Sequence, residues 1–69
     1  MNNVTFQKVK VPGLQEHYMV LVNKKPVNVI KVERYKNGKL YAYIFDGFPH
    51  KYLYGAKDTA YNQYFKLAA

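Results

Sequence analysis

Residues 27–45 read VNVIKVERY, KNGK, LYAYIF. Two strand-forming runs, Val27–Tyr35 and Leu40–Phe45, flank the turn Lys36-Asn37-Gly38-Lys39. β-Branched and aromatic side chains fit the pleated, half-buried surface of a sheet. Asn and Gly tolerate the positive φ that tight hairpin turns demand. The stretch therefore reads as a β-hairpin. In its second run Leu40, Ala42 and Ile44 point one way, and Tyr41, Tyr43 and Phe45 the other. The small aliphatic side is the expected seat for a covering element, which would leave the aromatic side half exposed. A bulge at Val29-Ile30 would reverse the faces of the neighbouring strand.

The same punctuation recurs on either side. Pro12-Gly13, Asn23-Lys24-Lys25-Pro26 and Asp46-Gly47-Phe48-Pro49 are further turn signals, with Gly55 a weaker one. They bound β-rich runs at Val4–Val11 and His17–Val22, and a short last strand at Lys51–Tyr54. A spacing of about ten residues between turns fits an antiparallel meander. After Gly55 the period changes. Asp58 suits an N-cap, and Ala60, Tyr61, Tyr64, Leu67 and Ala68 recur at helical spacing, which predicts a helix over Thr59–Leu67. So short a helix is marginal alone and must dock on the sheet. The expected fold is α+β: an antiparallel β-meander of three to five strands, with one C-terminal helix packed on one face.

Length and composition bound the function. The chain has 69 residues, enough for one domain over 1–69, which hides only about 60% of its unfolded surface. That excludes a two-domain enzyme or an eight-stranded barrel. Cys, Ser and Trp are absent, so no disulfide, thiolate nucleophile or Ser-His-Asp device exists. The carboxylates are Glu16, Glu33, Asp46 and Asp58, and the histidines His17 and His50. None stands in a metal-binding or catalytic spacing, so no enzyme and no cofactor is expected. No apolar run is long enough for a membrane span, and Met1-Asn2-Asn3 does not open a signal peptide. The expected location is cytoplasmic.

The charge is the more informative feature. Eleven Lys and Arg against four Asp and Glu give +7. Lys24, Lys25, Lys31, Arg34, Lys36 and Lys39 crowd into one stretch opposed only by Glu33, and eight Tyr and four Phe are spread through the chain. Cations neutralise phosphates and release counterions, while phenol rings stack on bases. Lysines also keep small proteins soluble and guard sheet edges, and tyrosines also fill small cores.

Two family resemblances accompany this pattern. From Ile30 onward the chain resembles the KTSC domain in Val32-Glu33, the Asn37-Gly38 turn, Tyr41 and Tyr43, Pro49, Tyr52 and the pair Tyr64-Phe65. The interval from Tyr43 to Pro49 is longer than that family's, and its Ser/Gly stretch before the late Tyr-Phe pair is missing. In architecture, a three-stranded sheet followed by one helix, with GKLYAY and a D-G turn, is similar to AP2-like and integrase arm-binding domains. This second resemblance implies a sheet face laid in the DNA major groove, with Arg34, Lys39, Tyr41 and Tyr43 as contacts. The usual Trp is replaced by Leu40 or Tyr41, and the helix start is only echoed by Asp58-Thr59-Ala60.

The expectation is thus a non-enzymatic nucleic-acid-binding module, of DNA before RNA, suited to a phage or mobile element. Lys31, Arg34, Lys36, Lys39 and Lys51 would meet phosphates, and Tyr41, Tyr43 and Tyr54 would meet sugars and bases. The rival is a small interaction protein docking on an acidic host enzyme or defence complex through its Tyr and Phe residues. A homodimer through Tyr61, Tyr64 and Phe65, or a virion subunit joined through its tyrosine face, is a further alternative.

Overall fold

The computed structural model describes residues 3–65, in the order β1 (Val4–Val9), β2 (His17–Val22), β3 (Lys25–Arg34), β4 (Leu40–Phe45), β5 (Phe48–His50) and α1 (Leu53–Phe65). Every strand pairs antiparallel with its predecessor, giving one five-stranded sheet in the order β1-β2-β3-β4-β5. The expected α+β meander with one C-terminal helix is the architecture found. The molecule is elongated, 43 × 23 × 16 Å.

The turns explain the register. Tyr35 and Lys39 close a three-residue loop: Gly38 N–H donates to Tyr35 O (2.9 Å) and Tyr35 N–H to Lys39 O (2.8 Å). Gly38 has φ +87°, the left-handed residue that completes a type I turn with its bulge. Asp46 (φ +51°) and Gly47 (φ +80°) form a two-residue hairpin loop that pairs Phe45 directly with Phe48. Both loop residues are left-handed, the twist such loops require.

This second loop corrects the reading of the last strand. Because Asp46-Gly47 turns the chain in two residues, β5 starts at Phe48 and ends at His50, and the run Lys51–Tyr54 is a bend leading into α1. The helix begins at Leu53, not Thr59. Its first bonds run from Gly55 and Ala56 N–H to Tyr52 O (3.1 and 3.5 Å). Asp58 is exposed and mid-helix, so it caps nothing. Gly55 lies inside the helix where it passes β5; a Cβ there would sit 3.4 Å from His50 Nδ1. The expected helix positions Leu67 and Ala68 lie outside the described residues.

The faces of β4 are also the reverse of the expectation. Register places Val4 and Phe6 (β1), Tyr18, Val20 and Val22 (β2), Ile30 and Val32 (β3) and Tyr43 and Phe45 (β4) on one face. α1 docks on that face: Val4, Val20, Ile30, Phe45, Ala56 and Ala60 form the core, with Leu53, Tyr64 and Phe65 packed against it. Phe45, 1% exposed, outweighs the aliphatic side as a seat for the helix because it buries the most apolar surface. Ala56 and Ala60, fully buried, let the helix approach the sheet closely. Lys57 stretches over the rings of Phe6 and Tyr18 (5.4 and 5.3 Å). Asn28 Nδ2 donates to Asp46 Oδ1 (2.9 Å) and Tyr64 Oη (3.0 Å), tying β3 to the β4–β5 loop and the helix end.

The register shifts sit elsewhere than Val29-Ile30. One leaves Val27 unpaired between Pro26 and Asn28, where a proline is tolerated inside a sheet. The other leaves Tyr41 unpaired between Leu40 and Ala42.

Candidate nucleic-acid interface

The β3–β4 turn follows β3, the longest strand, and carries Lys36 and Lys39, both exposed. Its shape is held from three sides. Asn37 Oδ1 accepts from Lys39 N–H (3.0 Å), Arg34 Nη1 donates to Gly38 O (3.1 Å), and the Tyr35 to Lys39 backbone bond closes the base. The two lysines are thereby presented on a fixed loop.

Just behind the tip, the bulge turns Tyr41 outward, 56% exposed. Its ring meets the equally exposed ring of Tyr35 edge-on, at 5.3 Å and 74°. Pairing of Tyr43 with His50 carries the chain, as it leaves β5, back toward the start of β4. There it presents Lys51, Tyr52 and Tyr54. Tyr52 and Tyr54 stack at 5.3 Å and 13°, and Lys51 Nζ lies 5.6 Å from the Tyr52 ring. The β3–β4 turn thus carries one exposed tyrosine pair with Lys36 and Lys39, and the segment that follows β5 carries a second with Lys51.

The remaining expected contacts are placed differently. Arg34 is committed to Glu16: Nε donates to Oε1 at 3.0 Å and Nη2 to Oε2 at 3.5 Å, with Lys8 Nζ at 3.6 Å from the same carboxylate. The hydrogen bond from Arg34 holds the Glu16 carboxyl below the usual carboxylate range, against the opposing effect of its burial. The same bond raises the Arg34 guanidinium. Much of the Arg34 charge is answered inside the molecule. Tyr43 is half-buried, packed against the core on the helix side. Lys31 is exposed but belongs to the opposite face of the sheet, between His17 and Ile44. Lys24 and Lys25 lie at the β2–β3 loop, the far end of β3 from Lys36.

Sequence reasoning missed Tyr35 and Tyr52, the partners of Tyr41 and Tyr54. Tyr35 was legible in principle, because it flanks the same hairpin turn. Tyr52 required knowing that β5 ends at His50.

Glu33 and His17 are in local structural bonds. Gln15 Nε2 donates to Glu33 Oε1 (2.9 Å), and His17 Nδ1 is bonded to Gln15 O (2.8 Å). His50 lines an open groove of about 350 Å³ between β5 and α1, with Phe45, Phe48, Pro49 and Gln63; its buried Nε2 has no partner among the described residues. No three of His, Asp and Glu gather among the described residues. No helix among them is long and apolar enough to cross a membrane. No protein-family model, curated protein or solved structure matches this chain.

Proposed function

We propose that this protein is a non-enzymatic nucleic-acid-binding module whose ligand is a single strand, taken at the β3–β4 end of the sheet. The observation that carries this reading is two exposed, ring-on-ring tyrosine pairs, each beside lysines: Tyr35/Tyr41 at the turn that carries Lys36 and Lys39, and Tyr52/Tyr54 next to Lys51. Exposed rings offer π faces to unstacked bases of any sequence, and ammonium groups beside them follow the phosphates. Base edges inside a duplex are read by side chains standing out from a groove-filling element. Here Tyr43 is turned under the helix and Arg34 is held by Glu16, so the sheet-face contacts implied by the integrase-like resemblance are not presented together.

The test is fluorescence anisotropy with a labelled single-stranded DNA oligonucleotide at low salt, with the same sequence as RNA and as duplex DNA for comparison. The single strand is expected to bind best, and Tyr41→Ala with Tyr54→Ala to weaken it. Equal binding of duplex, or none of any nucleic acid, overturns the reading. The second outcome favours an acidic protein as the ligand of this end.

A further inference from the structure

The groove between β5 and α1 has an unusual wall. Pairing with Phe45 and Tyr43 turns Phe48 and His50 to the helix side of the sheet. Opposite them, Gly55, Thr59 and Gln63 recur every fourth residue and so form one stripe of α1. Gly55 lets the start of the helix pass close to His50. Further along, the groove of about 350 Å³ opens between Phe48 on the strand and Thr59 and Gln63 on the helix, with Phe45 and Asp46 also lining it. Phe48 lies on the face that carries the core, yet at 71% it is the most exposed large hydrophobic side chain among the described residues. The ring pairs formed elsewhere do not include it.

The polar groups lining the groove are few, and most are engaged. Thr59 Oγ1 donates to Gly55 O (3.0 Å). His50 Nε2 is sealed from solvent. Asp46 Oδ1 accepts from Asn28 Nδ2 (2.9 Å), which leaves its Oδ2 without a partner among the described residues. The exposed Gln63 amide has no partner among them either. A carboxylate oxygen can only accept, so a ligand resting on Phe48 must bring a donor to Asp46. Its body must be small and largely apolar to suit a groove of this size. The strand that lines the groove runs from His50 directly into Lys51 and the stacked pair Tyr52/Tyr54. The groove is thus continuous with the surface assigned to a nucleic-acid strand. A base with an exocyclic amine supplies the flat ring and the donor, and its backbone supplies a phosphate for Lys51.

We propose that this groove takes one base of the bound strand against Phe48 and prefers bases that carry an exocyclic amine over uracil and thymine, with Asp46 Oδ2 accepting from the amine. The inference rests on the nucleic-acid reading and adds a base preference to a surface whose tyrosine pairs have none.

The test is competition, read by anisotropy at neutral pH and low salt, between deoxycytidine and deoxyuridine oligonucleotides of equal length. The two bases share a ring, but cytosine presents an N4 amine donor where uracil, like thymine, presents an O4 acceptor. The deoxycytidine strand is expected to bind about tenfold more tightly, the worth of one hydrogen bond to a charged group. Asp46→Asn keeps an acceptor for Asn28 and suits the left-handed backbone there (φ +51°). It replaces the free acceptor with an NH2 donor, so the preference is expected to vanish or reverse. Asp58→Asn makes the same change of charge at an exposed helix position that does not line the groove, and leaves the ratio within about twofold. Tyr54→Ala weakens both strands and also leaves the ratio. Equal binding of the two strands overturns the inference and leaves nucleic-acid binding standing. So does a ratio that Asp46→Asn and Asp58→Asn move alike. Failure of both strands to bind overturns the inference together with the reading it rests on.

Discussion

The placement of the cations makes a quantitative statement about salt. Lys36, Lys39 and Lys51 border the exposed ring pairs, whereas Arg34 is neutralised by Glu16 and Lys31 faces the other way. Three phosphate contacts on a single strand predict a slope of log K against log salt near about −2. Between ~50 and ~200 mM salt the affinity should then fall about twentyfold. Lys36→Ala removes one contact, which brings the slope to about −1.4 and the same fall to about sevenfold. Tyr54→Ala acts on a different part of the energy: it loses ~1–3 kcal/mol of stacking and leaves the slope where it was. Lys24→Ala, at the opposite end, changes neither. The measurement is anisotropy of a labelled oligonucleotide at a series of salt concentrations, with the variants run side by side. A Lys24→Ala slope as shallow as that of Lys36→Ala would refute the reasoning. It would mean that binding follows net charge and not the patch.

Further expectations concern the scaffold. Phe45→Ala opens the centre of the core beneath α1 and should cost about 3–5 kcal/mol in urea denaturation; a loss under about 1 kcal/mol would mean that the helix is not seated on that ring. Gly38→Ala meets no atom within 4 Å, so its cost of about 1–2 kcal/mol is purely that of a left-handed backbone. Gly55→Ala runs the other way, gaining up to ~1 kcal/mol of helix propensity, because the added methyl only reaches van der Waals distance from His50. Glu16 has a depressed folded-state pKa, so its stabilising contribution is complete above the ordinary carboxylate range and is lost as pH falls through the lowered value. Denaturation midpoints over acid pH should therefore fall less steeply for Glu16→Gln than for the parent chain.

The outline of this fold is written locally. β2 and β4 begin and end where their apolar runs do, because turn residues bound them on both sides. The end of the chain is less legible. Gly55 and Asp58 carry local signals for a turn and a cap, yet they lie inside a helix whose position is fixed by packing of Ala56 and Ala60 on the sheet. The facing of β4 is likewise a tertiary matter. Alternation separates Tyr43 and Phe45 from Ala42 and Ile44, but only the docked helix decides which set is inside. For the candidate site, Lys36, Lys39 and Tyr41 follow from the hairpin alone. Lys51 and Tyr54 join them only through the return of β5. Arg34 and Tyr43 drop out through contacts with Glu16 and the core, which no local pattern records.

Sheet neighbours here are always chain neighbours, so each hairpin can close as soon as its second arm leaves the ribosome, with little loop entropy to overcome. The helix follows the last strand in the chain. Val20, Ile30 and Phe45 therefore meet water throughout that interval. That face of the nascent sheet stays bare until α1 arrives, and the step that protects it during synthesis is the docking of two alanines.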